Sequence, residues 1–310
     1  MRSWKKLLSL TAACALSVSL LAGCSGTTTP ADTTGAGESP EAGGKMFNIA
    51  LTASFSGFDP LRTNDSASTY VNAQIYETLY RIDPETGEYM PLLAESLPEY
   101  SEDGLTVTIK LREGVTFHDG TPFNSEAVKY TIELIQDPDF GSARASIANS
   151  IESVECPDDH TVVFHLLYED GVLTAKLSHP NSAIVSPTAQ QAQDLMVEPC
   201  GTGPYKFVSS VSGSNVVLTR NEDYWGELPA IKDVTMTIIT DESTAVSRME
   251  TGEADLIPVL SVEQLSRVEN NDAIAVGSSN SAQIYYMPIR DLSSVNPIMQ
   301  EKDFRIALAK

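Results

Sequence analysis

The side chains best equipped for chemistry are few and scattered. The four histidines are His118, His160, His165 and His179, and the four cysteines are Cys14, Cys24, Cys156 and Cys200. His160 and His165 fall on one predicted strand an odd number of positions apart. Alternate residues of a strand face opposite sides, so the two cannot hold one ion. His118 stands in His118-Asp119-Gly120, a turn sequence, because glycine accepts the positive φ such turns need. No Gly-x-Ser-x-Gly elbow, His-Glu-x-x-His pair or phosphate-binding glycine loop occurs, and Gly201-Thr202-Gly203-Pro204 lacks the lysine and following helix of a P-loop. The expectation is a protein without catalysis, metal or cofactor. A hydrolase would need a nucleophile and base that only folding brings together.

Cys24 offers a different chemistry. Arg2, Lys5 and Lys6 precede an uncharged, mostly apolar run from Leu7 to Ala22, shorter than the roughly 20 residues of a spanning helix. The run ends Leu21-Ala22-Gly23-Cys24, which resembles the lipobox of bacterial lipoproteins, where the cysteine thiol takes a diacylglycerol through a thioether. Residues 1–23 are thus expected to be a signal peptide and Cys24 the lipidation site. Residues 24–45 are rich in Thr, Gly, Ala, Ser and Pro and bury nothing, so they read as a flexible tether with a reach of roughly 25 Å. Two or more acyl chains hold a protein on a membrane, whereas one is marginal. Cys156 and Cys200 remain, and nothing in their spacing demands a disulfide.

The composition narrows the class further. The 310 residues carry 20 Lys and Arg against 42 Asp and Glu, a net charge of −22, with 42% hydrophobic and 20% charged residues. That is a globular profile of about two domains. Nucleic acid is excluded as a partner, because phosphate neutralisation needs clustered basic residues. Loss of residues 1–23 removes three positive charges and leaves −25. A body this acidic is repelled by anionic headgroups, so the acyl group must anchor it.

The elements that position any site are mixed α/β, without repeats. Phe47 to Leu51 reads as a strand, followed by the loop Thr52 to Pro60 and a helix from about Ser66 to Leu79 with Tyr70, Ala73, Tyr76 and Leu79 at helical spacing. Thr106 to Leu111 alternates as a half-buried strand. Asn124 caps a helix carrying Val128, Ile132 and Ile135, ended by Asp137-Pro138. Hairpins are expected over Ile151–Glu155 with Thr161–Leu166, and over Tyr205–Val211 with Asn215–Thr219. Val234–Ile239, a helix Ser243–Glu250 closed by Gly252, and a strand Asp255–Val259 make a βαβ unit with a right-handed crossover.

Three stretches carry a resemblance that composition does not. Ala94-Glu95-Ser96 through Asp103-Gly104-Leu105 to Gly114-Val115-Thr116-Phe117-His118-Asp119-Gly120-Thr121-Pro122-Phe123 is the first. Gly201-Thr202-Gly203-Pro204-Tyr205, with Arg220-Asn221 and Tyr224-Trp225-Gly226, is the second, and Met249-Glu250-Thr251-Gly252-Glu253-Ala254-Asp255 the third. In order and spacing they resemble the landmarks of family 5 solute-binding proteins, the peptide- and nickel-binding receptors of ATP-binding-cassette (ABC) importers.

The resemblance implies a periplasmic-binding-protein-like type II α/β fold. It assigns residues 46–79 and 198–300 to lobe I, 80–197 to an inserted domain, and 301–310 to the opening of a second lobe that the sequence does not continue. It implies a monomeric lipoprotein outside the cytoplasm that closes about a hinge over its solute and presents it to a membrane permease. Peptide is the first expectation for the solute. Nickel chelates, opines, haem and sugars are known in the family, and a signalling or adhesion lipoprotein would share the fold. Ala53, Ser54, Phe55, Val259, Gln283 and Tyr285 are the residues it places at the cleft. The blander readings are lobe core for Phe55 and Tyr285 and solvent exposure for Gln283. Tyr224 and Trp225 read as core or a structural corner rather than a ligand platform, and Met249 as core. With only one wall of the cleft, the 310-residue chain alone is expected to bind weakly.

Overall fold

The computed structural model describes residues 46–277 and Glu301. Its elements in chain order are β1 Phe47–Leu51, α1 Ser66–Ile75, β2 Tyr80–Ile82, β3 Tyr89–Pro91, β4 Glu99–Tyr100, β5 Thr106–Lys110, α2 Ser125–Gln136, β6 Ile151–Asp158, β7 Thr161–Leu166, α3 Leu173–Leu177, α4 Pro187–Ala192, β8 Tyr205–Val211, β9 Asn215–Arg220, β10 Asp233–Ile238, α5 Glu242–Glu250 and α6 Val262–Val268.

Two four-stranded sheets carry the fold. In the first, in order β1-β10-β9-β8, β1 runs parallel to β10, with Phe47 opposite Val234 and Leu51 opposite Ile238. The hairpin β8–β9 and its partner β10 are antiparallel. The second sheet, β4-β5-β7-β6, is wholly antiparallel and lies within residues 99–166. Val107 and Ile109 of β5 are fully buried while Lys110 is exposed, as strict alternation requires. Helix α2 covers this sheet with Val128, Thr131, Ile132 and Ile135, its first turn capped by the Asn124 side chain accepting from the Ala127 N–H. One apolar cluster runs through both sheets, from Leu51 and Val71 to Val107, Phe164 and Leu218.

Two expected elements differ. Helix α1 stops at Ile75, and its buried face is Ala67, Ser68, Val71, Asn72 and Ile75. Tyr70, expected on that face, is 37% exposed, and Ala73 is exposed too. The reason is that Ser68 and Asn72 are buried with hydrogen-bond partners, which offsets the cost of burying polar side chains on that face. The strand expected at Asp255–Val259 reduces to one parallel bridge between Leu256 and Ile49, on the free side of β1. Pro258 has no N–H to give to a ladder there. The βαβ order is nonetheless present: β10, α5, then the Leu256 bridge. His160 sits in the turn before β7 rather than on the strand. Met249 packs against the small cluster of Ala50, Ile239, Ala245 and Ala254.

Candidate functional site

The carboxyl end of β1 opens into a pocket of about 320 Å³ lined by Leu51, Thr52, Ala53, Ser66, Ala67, Tyr70, Pro258 and Val259. Its position follows from the sheet. Ligands of open α/β sheets bind beyond the carboxyl ends of parallel strands, and β1, parallel to β10 on one side and to the Leu256 bridge on the other, is the parallel part. The floor is held from below by Ser68. Its Oγ accepts the N–H groups of Ser56 (3.0 Å) and Gly57 (3.3 Å), fixing the loop that leaves β1. Asp65 caps α1 by accepting from the Ser68 N–H at 2.8 Å. The two walls are joined where Thr52 Oγ1 donates to the Val259 carbonyl at 3.3 Å.

Of the residues expected at a cleft, Ala53 and Val259 come together in this pocket, and Val259 is exposed. Ser54 is exposed on the same loop but does not line the pocket. Phe55 turns toward the core, its ring meeting Phe58 edge-on at 4.8 Å between centroids, with Phe58 in turn against Phe207. Cys24, Gln283 and Tyr285 lie outside the described residues. Sequence reasoning missed Thr52, Ser66, Pro258 and Tyr70. The helical spacing that assigned Tyr70 to the core was read one residue out of phase, and an aromatic ring exposed beside a strand end was the available signal.

The sequence landmarks meet elsewhere. Gly201 and Gly203 lie against the last turn of α1, where the Gly203 N–H donates to the Ile75 carbonyl at 2.8 Å. A Cβ on Gly203 would stand 2.7 Å from the Ile75 backbone, and one on Gly201 would collide with that carbonyl outright. The His118 N–H donates to the Gly201 carbonyl at 2.8 Å, and His118 Nε2 reaches the Gly203 carbonyl at 2.9 Å. First and second landmarks are therefore one joint. Beside it, the buried carboxylate of Glu77 accepts from Tyr224 Oη (2.7 Å), Trp225 Nε1 (2.8 Å) and Thr202 Oγ1 (2.8 Å). Tyr224 and Trp225 thus form a structural corner, and the Arg112 guanidinium lies over the Trp225 ring at 4.4 Å. Burial pushes the Glu77 carboxyl above its ordinary value, against those three bonds and the Arg112 charge. The third landmark clamps β1: the Asp255 N–H donates to the Asn48 carbonyl at 2.7 Å, and Asp255 Oδ2 accepts from the Asn48 N–H at 2.9 Å.

His118 gives this joint a pH dependence. Burial lowers its pKa to about 4, opposed by the bond to Gly203. Nε2–H donates to that carbonyl, and Nδ1 is buried without a partner among the described residues, so a second proton would have no acceptor. The folded pKa lies below the unfolded value near 6.5, so the stabilisation is present above pH 6.5 and is lost as pH falls toward 4. Between pH 7 and pH 5 the wild type is expected to lose about 2 kcal/mol relative to His118→Gln. Urea melts of both proteins at the two pH values check this; parallel losses would contradict it.

Cys156 and Cys200 are both free, and Cys200 is buried, with its thiol pushed up by burial to about 12. It is not a reactive thiolate. Among the described residues no cluster of His, Cys, Asp and Glu could hold a metal, and no helix is long and apolar enough to cross a membrane.

Residues 88–310 match the bacterial extracellular solute-binding proteins, family 5 (middle region). The chain is similar to the glutathione-binding protein GsiB of Pectobacterium atrosepticum, 34% identical over 246 residues that make up 78% of this chain and 48% of that protein. It is also similar in structure to NikZ from Campylobacter jejuni in complex with Ni(L-His), with 26% identity and a TM-score of 0.67 over 73% of this chain and 45% of NikZ. DppA from Helicobacter pylori in complex with the peptide STSA gives the same identity and TM-score over 74% of this chain and 49% of DppA. The chain spans about half the length of these relatives. The fold is the α/β type II periplasmic-binding-protein fold. The chain belongs to the family 5 bacterial extracellular solute-binding proteins, a family of binding proteins rather than enzymes.

Proposed function

We propose that this chain is the solute-capturing half of an extracytoplasmic receptor that serves an ABC importer, and that its solute is a peptide. The observation that carries the reading is the pocket at the carboxyl end of β1, where Ala53 and Val259 face one another across the Thr52–Val259 bond. A loop leaving a strand end suits main-chain pairing with a peptide, which gives affinity without reading side chains. Glutathione is itself a tripeptide and STSA a tetrapeptide, so the names of two relatives point the same way.

In this reading residues 46–79 and 198–300 belong to lobe I, 80–197 to an inserted domain, and 301–310 to the start of the opposing lobe. Gln283 and Tyr285 complete the wall begun by Ala53 and Val259, with Ser54 on the same loop outside the pocket and Phe55 packed toward the core. Residues 1–23 direct export, Cys24 carries the lipid, and residues 24–45 tether a monomer to the outer face of the cell membrane, where a permease receives the solute.

Thermal melting of the full-length protein tests the solute class. A library of di- to pentapeptides is expected to raise Tm, with at least one peptide shifting it by several degrees at about a hundredfold excess over Kd. A shift with nickel–histidine or an opine, and none with any peptide, would overturn the peptide assignment.

A further inference from the structure

The other end of α1 borders a second cavity of about 320 Å³. Helix α1 therefore has the proposed solute pocket at its first turn and this cavity at its last, the latter lined also by Ser178, Pro180 and Ala183. The volume is in the range of small-molecule sites. Leu92 and Ala183 supply apolar wall, and Asn72, Glu77 and Arg81 the polar groups.

Asn72 is only 3% exposed, and its amide orientation is fixed by its neighbours. Thr63 has one hydroxyl proton, which it gives to the Asp59 carbonyl at 2.8 Å. Toward Asn72, 3.2 Å away, Thr63 Oγ1 can then only accept, so the Asn72 group facing it is Nδ2. Asn72 Oδ1 is left as a buried acceptor without a donor among the described residues. A buried acceptor of this kind calls for a donor from a ligand or solvent. Glu77 Oε1 accepts one bond, from Tyr224, and has room for another. Arg81 has the opposite character. It is exposed, and no carboxylate among the described residues lies within ion-pair distance of it. The cavity thus offers acceptors and negative charge inside and a guanidinium fork at its edge.

We infer that this cavity is a second binding site, separate from the solute pocket, for a small zwitterion of the free amino-acid type. Its ammonium meets Asn72 Oδ1 and the Glu77 carboxylate, its carboxylate meets Arg81, and its side chain lies on Leu92 and Ala183. Arginine recognises carboxylates bidentately, which gives the site a direction as well as a charge.

Saturation-transfer NMR on the full-length protein tests the proposal, with glycine, L-alanine, L-valine and L-leucine as probes at about 1 mM each. Succinate and putrescine, which carry one sign of charge only, serve as controls. The amino acids are expected to bind about tenfold more tightly than either control. Arg81→Ala removes the guanidinium from an exposed position. Ala73→Trp fills the cavity from an exposed helical position without deleting a hydrogen bond. Each is expected to weaken amino-acid binding by about tenfold, with melting curves confirming that both variants fold. The proposal is overturned if no amino acid binds, which would leave solvent as the partner of Asn72, or if binding survives both substitutions unchanged.

Discussion

Glu77→Ala is expected to lower stability by about 3–5 kcal/mol, a fall in Tm of roughly 10 °C or more. Glu77 is 5% exposed and gathers three donors from two distant parts of the chain: Thr202, and the adjacent Tyr224 and Trp225. Its backbone also accepts the Ile184 N–H at 2.9 Å, so it sits where the segment leaving α1 meets both sheets. Removing the carboxylate orphans three donors at once, and a buried donor without an acceptor costs far more than the bond was worth. The charge is not the asset. Burial raises the carboxyl's pKa despite its partners, so the folded state binds protons more readily than the unfolded one. This contribution to stability grows as pH falls through the raised pKa and shrinks as pH rises above the unfolded value. Glu77→Gln, which loses the charge but keeps one acceptor oxygen, is therefore expected to cost less, about 1–3 kcal/mol. Equal losses for the two variants in chemical melts would show that the charge itself, paired with Arg112, holds the corner.

Gly201→Ala is expected to cost about 3 kcal/mol through overpacking, at the upper end of the usual range because the collision is with backbone. The added methyl meets the Ile75 carbonyl and the Tyr76 ring, neither of which can turn away as a flexible side chain would. The loop must lift off α1, and the Gly203–Ile75 and His118–Gly201 bonds go with it. Gly171→Ala is the control. It has open space around it and an ordinary backbone angle, and is expected to fall within about 0.5 kcal/mol of wild type. Denaturant melts of the two variants side by side check the difference. A Gly201→Ala protein as stable as wild type would mean the joint is loose enough to absorb a methyl group.

These two positions also explain what could be read before the fold was known. The regular elements were legible because their periodicity reflects burial directly: Val107 and Ile109 alternate on β5, and Val128, Ile132 and Ile135 recur on α2. The three landmarks were legible as patterns, yet what they encode is scaffold. Gly201 and Gly203 permit close approach to α1, His118 ties the first landmark to the second, and Asp255 clamps β1. They identify the family without naming its solute.

What stayed hidden was polar burial. Ser68 and Asn72 are polar residues on the buried face of α1, and a hydrogen-bond partner twelve or nine positions away leaves no mark in the hydropathy pattern that selected Tyr70. Glu77 was invisible for the same reason: its three partners are more than a hundred residues distant. The pocket at the carboxyl end of β1 was half legible. Ala53 and Val259 are placed there by the family resemblance, whereas Tyr70 and Thr52 depend on how α1 is rotated and where the two walls touch.

The central claim, that the wall at the carboxyl end of β1 holds a peptide, is tested most directly by recovering the ligand. Full-length protein is purified gently, denatured, and the released small molecules are identified by mass spectrometry, for wild type and for Ala53→Trp, whose indole fills the pocket from an existing lining position. Peptides are predicted in the wild-type sample and at least tenfold less of them in the variant, a loss of about 1.4 kcal/mol or more in binding. No peptide from the wild type, or equal amounts from both proteins, would contradict the claim.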